Sequence, residues 1–177
     1  MDQLHQLPNF LENGDLLVDT NFFIDSFHNP NNFAEFISTL KKGNVEIVTT
    51  SFVKYEFLKS KTIDVVRKKE IFFNELVGVV LPLDSETEKQ IVGLIEEYKQ
   101  YMEGVSLVDL ILGAFLKRYG NKLFLLTRDH KDFPTNVFDR MHVFNIDGIR
   151  DIKTYGVYCY GCQKTKTKCG FEDNIPF

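Results

Sequence analysis

Leu16, Leu17 and Val18 follow one another with no polar residue between them, and Asp19 comes next. A run so short and so continuous cannot supply the stripe of a helix. It reads as a strand buried on both faces, as in a parallel sheet. Residues 123–126, Leu-Phe-Leu-Leu, repeat the pattern ahead of Thr127, Arg128 and Asp129. Residues 45–48 and 143–146 read as further strands, the latter as the last in the chain. Residues 79–83 read as an edge strand or an extended link, because Pro82 cannot donate to a ladder. Between these runs the apolar spacing turns helical. Asn29-Pro30-Asn31-Asn32 reads as a turn. Phe33, Phe36, Ile37 and Leu40 then mark a helix over 33–42, stopped at Gly43. Further helices are expected over 51–60, 62–76, 85–101 and 106–119, the last apolar nearly all round. Strands alternating with helices imply an α/β fold with a central, mostly parallel sheet and right-handed crossovers.

The 177 residues suit one domain, and 44% hydrophobic with 26% charged residues is ordinary globular usage. No run approaches the roughly 18 apolar residues of a membrane helix. The opening MDQLHQLPNF lacks the basic and then apolar layout of a secretory signal, so the cytoplasm is the expected compartment. A net charge of -4 argues against holding nucleic acid by bulk charge. It leaves room for a small basic rim, or for carboxylates balanced by metal ions. No glycine-rich phosphate loop is present, which removes the basis for a nucleotide cofactor.

From Asp151 the composition shifts toward Tyr, Lys, Cys and Gly without helical or strand periodicity. The expected division is therefore a domain over 1–150 and a tail over 151–177. Cys159, Cys162 and Cys169 all fall in that tail, which disfavours a disulfide framework. They are three zinc thiolates if a fourth ligand such as His142 joins them, or else three reduced thiols. Tyr155, Tyr158 and Tyr160 interleave with Lys153, Lys164, Lys166 and Lys168, a pattern suited to stacking single-stranded RNA or simply to solubility. Phe22, Phe23, Phe27, Phe33 and Phe36 offer either core packing or a docking face. His130 is either a surface loop residue or a substrate contact.

Four acids remain. Asp19 and Asp129 each follow a buried strand, where open α/β sheets bind ligands. Each also suits a loop or cap. Glu56 shares a helical face with Phe52 and Val53, and Lys59 or Ser60 offers it an ordinary partner. Asp109 is the only charge in the apolar stretch 105–116, and with Ser106 it matches a capping box. Brought to one sheet edge, four carboxylates cannot all stay ionised without cations. Oxygen ligands without His or Cys select Mg²⁺ or Mn²⁺. Those are the ingredients of a metal-dependent phosphodiesterase, where an ion acidifies a water and offsets charge on the phosphate.

The pieces Leu-Leu-Val-Asp19-Thr-Asn21, Ser51-Phe-Val-Lys-Tyr-Glu56, Val105-Ser-Leu-Val-Asp109 and Leu126-Thr-Arg-Asp129-His-Lys-Asp132 stand in an order that resembles the PIN-domain nucleases. The resemblance covers about residues 14–147 and includes the small stand-alone VapC-like toxins. It implies a central parallel sheet with an acidic site at its C-terminal edge, and a divalent-metal-dependent ribonuclease. By that resemblance Asp19, Glu56, Asp109 and Asp129 form the acidic quartet holding Mg²⁺ or Mn²⁺. Asn21, Thr127 and Asp132 support it, and Arg128 and Lys131 meet RNA phosphates. A homodimer and an inhibiting antitoxin protein are also implied. The longer tail and the alanine-poor helix after Ser106 depart from the toxin pattern. A PIN-like module that binds RNA or protein without cutting is the alternative. A HAD-type phosphatase is disfavoured, because Asn21 stands where that family needs a second Asp.

Overall fold

The computed structural model describes residue 11 and residues 14–98, 104–147 and 152–162. The strands are β1 (Asp15–Val18), β2 (Ile47–Thr50), β3 (Val79–Leu81), β4 (Leu123–Thr127), β5 (Asp139–Asp147) and β6 (Ile152–Cys159). The helices are α1 (Thr20–His28), α2 (Pro30–Lys42), α3 (Ser51–Leu58), α4 (Ile63–Leu76), α5 (Ser85–Tyr98) and α6 (Leu107–Tyr119). The six strands form one sheet in the order β3-β2-β1-β4-β6-β5. The first four are mutually parallel, whereas β6 runs antiparallel to both β4 and β5. The fold is thus α/β with a parallel centre flanked by helices, and β1 to β4 all end at the same edge.

Local chemistry explains most boundaries. Leu16, Leu17, Val18 and Leu123–Leu126 are at most 5% exposed, as strands covered on both faces must be. Asp19 ends β1 and caps α1, accepting from the Thr20 amide. The Thr50 hydroxyl caps α3 through the Val53 amide. Ser106 and Asp109 form the expected capping box at the start of α6. Helix α1 is an element that apolar spacing alone did not bring out. Its Phe22, Phe23 and Ser26 are buried, and it joins α2 through Asn29 alone. The expected four-residue turn is therefore shorter. Pro30 sits at the first turn of α2, where its fixed φ and missing N–H cost nothing.

The phenylalanines are core. Phe22 meets Phe23, Phe33, Phe36 and Tyr155 with ring centroids 5.6–6.4 Å apart. Phe23 packs in tilted contact with Phe57 and Phe73 at 5.3 and 5.1 Å between centroids. This cluster binds α1 to α4 into one aromatic layer; α5 and α6 pair with each other.

The largest departure lies after residue 150. The chain does not trail off: β6 enters the sheet between β4 and β5, with every residue from Tyr155 to Cys159 buried. Alternation was invisible because the strand is covered on both faces and built from Tyr, Gly, Val and Cys rather than an aliphatic run. Strand β5, expected over 143–146, begins four residues earlier and is bulged between Arg140 and His142. Tyr155 and Tyr158 are 0% and 1% exposed, so neither forms a stacking platform for RNA. Cys159 and Cys162 are joined in a disulfide, which leaves no thiolate at either for zinc. Lys164, Lys166, Lys168 and Cys169 lie outside the described residues.

Losing a buried aromatic costs about 3–5 kcal/mol. Removal of Tyr155, Val157 and Tyr158 together therefore rivals the roughly 5–15 kcal/mol that holds a domain folded. A chain ended at residue 150 is expected to lose its cooperative thermal transition. Circular dichroism melting beside the full chain checks this.

Candidate active site

The edge at which β1 to β4 end holds a cleft of about 220 Å³. Asp19, Thr20, Asn21, Ile24, Glu56, Ser106, Val108, Asp109 and Asp129 line it. All four acids singled out in the sequence thus meet in one cleft, from four different elements. Asp19 closes β1, and its amide donates to the Leu126 carbonyl of β4. Asp129 stands two residues past β4. Glu56 comes from α3 and Asp109 from the first turn of α6. Capping and facing the cleft prove compatible for both Asp19 and Asp109, since a helix start presents its first turn beyond the helix end.

Short polar side chains separate the carboxylates. The Asn21 amide donates to Asp19 Oδ2 at 2.7 Å, to Thr127 Oγ1 at 3.0 Å and to Asp129 Oδ2 at 3.2 Å. The Thr127 hydroxyl donates to Asp19 Oδ2 at 2.8 Å and accepts from the Asp129 amide at 3.0 Å. Thr20 donates to Glu56 Oε2 at 2.7 Å, so the partner of Glu56 is neither Lys59 nor Ser60. Ser106 donates to Asp109 Oδ2 at 2.5 Å. Asn21 and Thr127 therefore touch the acids directly. Asp132 is not among the residues lining the cleft. Its backbone carbonyl accepts from the Tyr98 hydroxyl.

The electrostatics follow from this crowding. Burial pushes the Asp19 carboxyl up to about 7, and Asp109 and Asp129 add to the rise. The Thr127 hydroxyl and Thr20 amide pull the other way. Burial also raises Asp109, with Asp129 and Glu56 adding while Ser106 opposes. Asp132 is raised by burial and then by Asp109 and Asp129.

Among the described residues no three Asp, Glu, His or Cys side chains stand tightly enough to cage an ion as they are. At least one oxygen of each acid accepts from a neighbouring amide or hydroxyl instead. The donor chemistry nevertheless fits a hard cation: oxygen ligands only, with the charge of Asp19 and Asp109 held back by burial and by neighbouring carboxylates.

Arg128 and Lys131 flank Asp129 on its loop. Lys131 is exposed. Arg128 is about one-third exposed and pairs through Nε with Asp25 Oδ2 at 2.8 Å, a partner the sequence reading did not supply. Asp25 is 5% exposed and also accepts from the Tyr155 hydroxyl at 2.7 Å. Its signal in the sequence was an acid three residues after Phe22, on an aromatic helix face. Thr20 was likewise missed, although it directly follows Asp19. His130 Nδ1 lies 2.7 Å from the Tyr158 hydroxyl, so the ring turns toward β6.

A family model described as PIN domain matches residues 16–136. The match runs from β1 past β4 and takes in all four acids, while β5 and β6 lie beyond it. No curated protein matches the chain.

Because Asp19 holds its proton more tightly folded than unfolded, the folded state binds more protons between about pH 4 and 7. Its contribution to stability is greatest in acid and falls as pH rises to about 7. The metal-free protein should lose on the order of 2–4 kcal/mol between pH 5 and pH 8. Asp19→Asn should flatten most of that slope. Guanidinium titrations of both proteins at the two pH values measure it.

Proposed function

The chain belongs to the PIN-domain family, whose members are in general metal-dependent nucleases, and from its cleft we propose that it is an endoribonuclease using Mg²⁺ or Mn²⁺ to hydrolyse RNA phosphodiester bonds. The observation that carries this reading is the meeting of Asp19, Glu56, Asp109 and Asp129 in one cleft at the edge where the parallel strands end. Asp19, Asp109 and Asp129 would hold the ion, and Glu56 would act through water or on a second ion. When bound, the ion lowers the pKa of a water and offsets charge on the phosphate.

The chain's own residues do the rest. Asn21 and Thr127 fix Asp19 and Asp129 relative to each other, and Ser106 orients Asp109. A side-chain amide or hydroxyl in such a place typically governs metal affinity through the ligand it holds. Because burial holds the Asp19 proton up to about pH 7, a cation held there would bind more tightly as pH rises toward that value. Lys131, and the part of the Arg128 guanidinium that Asp25 leaves open, meet the flanking phosphates. Asp132 adds negative charge behind Asp129. The preference for RNA, and a role as the toxin of a toxin–antitoxin pair in the cytoplasm, rest on the likeness to the small stand-alone type. So do a homodimer and an inhibiting antitoxin protein.

The test is cleavage of a pool of structured RNAs by the purified chain with Mg²⁺, with Mn²⁺ and with EDTA. Cutting should require metal and vanish with EDTA. Asp109→Asn and Asp19→Ala should each abolish it while keeping a cooperative melt. Ion binding without any cutting of RNA points instead to a silent PIN-like binding module. Unchanged cutting by folded Asp19→Ala overturns the assignment.

A further inference from the structure

Strand β6 lies outside the family match, yet it contacts the acid-bearing loop directly on one face of the sheet and through Asp25 of α1 on the other. Tyr155 and Tyr158 are three residues apart on a strand, so their side chains leave opposite faces of the sheet. On one face the Tyr155 hydroxyl donates to Asp25 Oδ2 at 2.7 Å, and the same oxygen meets Arg128 Nε at 2.8 Å. Lys153 of β6 stands 3.9 Å from the other Asp25 oxygen. On the opposite face the Tyr158 hydroxyl meets His130 Nδ1 at 2.7 Å, and its ring packs on Phe133 at 5.8 Å between centroids. Residues 128 and 130 are thus each tied to β6, and Asp129 sits between them. The backbone gives the same result: Thr127 pairs with Gly156 at the last rung of β4.

Two further features show that the arrangement is built in. Both tyrosines are essentially without solvent contact, at 0% and 1% exposure. A buried hydroxyl that lost its partner would cost about 1–3 kcal/mol, so the Tyr155 bond to Asp25 is specified rather than incidental, while the Tyr158 hydroxyl is shared between His130 and Arg140. Gly156 is the second feature. A Cβ there would stand 2.6 Å from the Tyr158 ring and 3.0 Å from its hydroxyl. Only glycine lets that ring lie back along the strand, and the ring is too enclosed to move aside.

We infer that β6 is a positioning strand, whose Tyr155–Asp25–Arg128 and Tyr158–His130 contacts bracket Asp129 and fix its carboxylate at the cleft. That this matters for a metal ion rests on the reading of the cleft given above. Tyr155, Tyr158, Asp25 and His130 act through Asp129 rather than on substrate. The device reaches the loop from both faces of the sheet, so loss of either contact frees one side and loss of both frees the loop.

The test uses the full chain and three variants: Tyr155→Phe, Tyr158→Phe and the double variant. Each keeps the ring and its packing and loses only the hydroxyl. In the metal-free proteins, amide hydrogen exchange at residues 128–130 should speed by at least about 10-fold in the double variant, with α6 and β1 unchanged. Mn²⁺ titrated by calorimetry should bind the double variant about 10–100-fold more weakly, the usual effect of removing a ligand's support. Asp25→Asn provides the same comparison should a tyrosine variant fail to fold. Exchange at 128–130 equal to that of the parent chain, in variants that melt as it does, overturns the bracket. Faster exchange with undiminished Mn²⁺ affinity overturns its role at the cleft. A parent chain that binds no Mn²⁺ overturns the metal reading alone, because the exchange result still decides whether the bracket exists.

Discussion

The structure is organised around the cost of keeping Asp19 where it is. Its carboxyl ends the central strand β1, is 4% exposed, and shares a cleft with three other acids. Burial and like charge both oppose its ionisation. What makes the position tenable is a set of short donors, each supplied by an element that must be in register for the donor to reach. Asn21 comes from the first turn of α1 and Thr127 from the end of β4. The parallel pairing of Val18 with Leu126 brings those elements together. The fold's most regular feature, four parallel strands ending at one edge, is therefore also what concentrates the charge.

That charge is unevenly shared. Asp19 and Asp109 are buried, while Asp129 and Glu56 are exposed. The inner pair is fixed by capping geometry together with short donors, and the outer pair by single side-chain donors and what packs behind them. For Glu56 the backing is Thr20, at the start of α1. For Asp129 it is the Asn21 amide and, through the loop, β6. The acids supplied by element ends draw on donors close by, Thr20, Asn21 and Thr127 for Asp19 and Ser106 for Asp109. The acid supplied by a loop draws on a strand from farther along the chain.

The sequence made the parallel half of this legible and the antiparallel half not. The runs 16–18 and 123–126 announced strands because buried parallel strands are uniformly aliphatic. The capping box at Ser106 and Asp109 was readable because it depends on neighbours in sequence. The meeting of the four acids was readable only jointly, since each alone fits an ordinary local use. Strand β6 was hidden because tyrosine, glycine and cysteine carry no clear period, and because its partners are set by tertiary packing. Helix α1 was not legible because its first turn is itself the Asp19-Thr20-Asn21 motif. The Asp25 network had no local trace beyond one acid on an aromatic face. Its partners at 128 and 155 are brought in by the fold.

Strand β6 is interior in space but follows every other described strand in the chain. Order of synthesis and order in the sheet therefore disagree. As the chain leaves the ribosome, β1 to β4 are available to pair first, and the outer edge of β4 stays open until residue 159 has emerged. Through that interval the edge is a template for wrong pairing, and the loop after β4 lacks its backing. The acids at helix and strand ends can be in place early; Asp129 comes to its fixed position late. A nascent chain thus completes its acidic cleft only after almost all of its described length has left the machinery that made it.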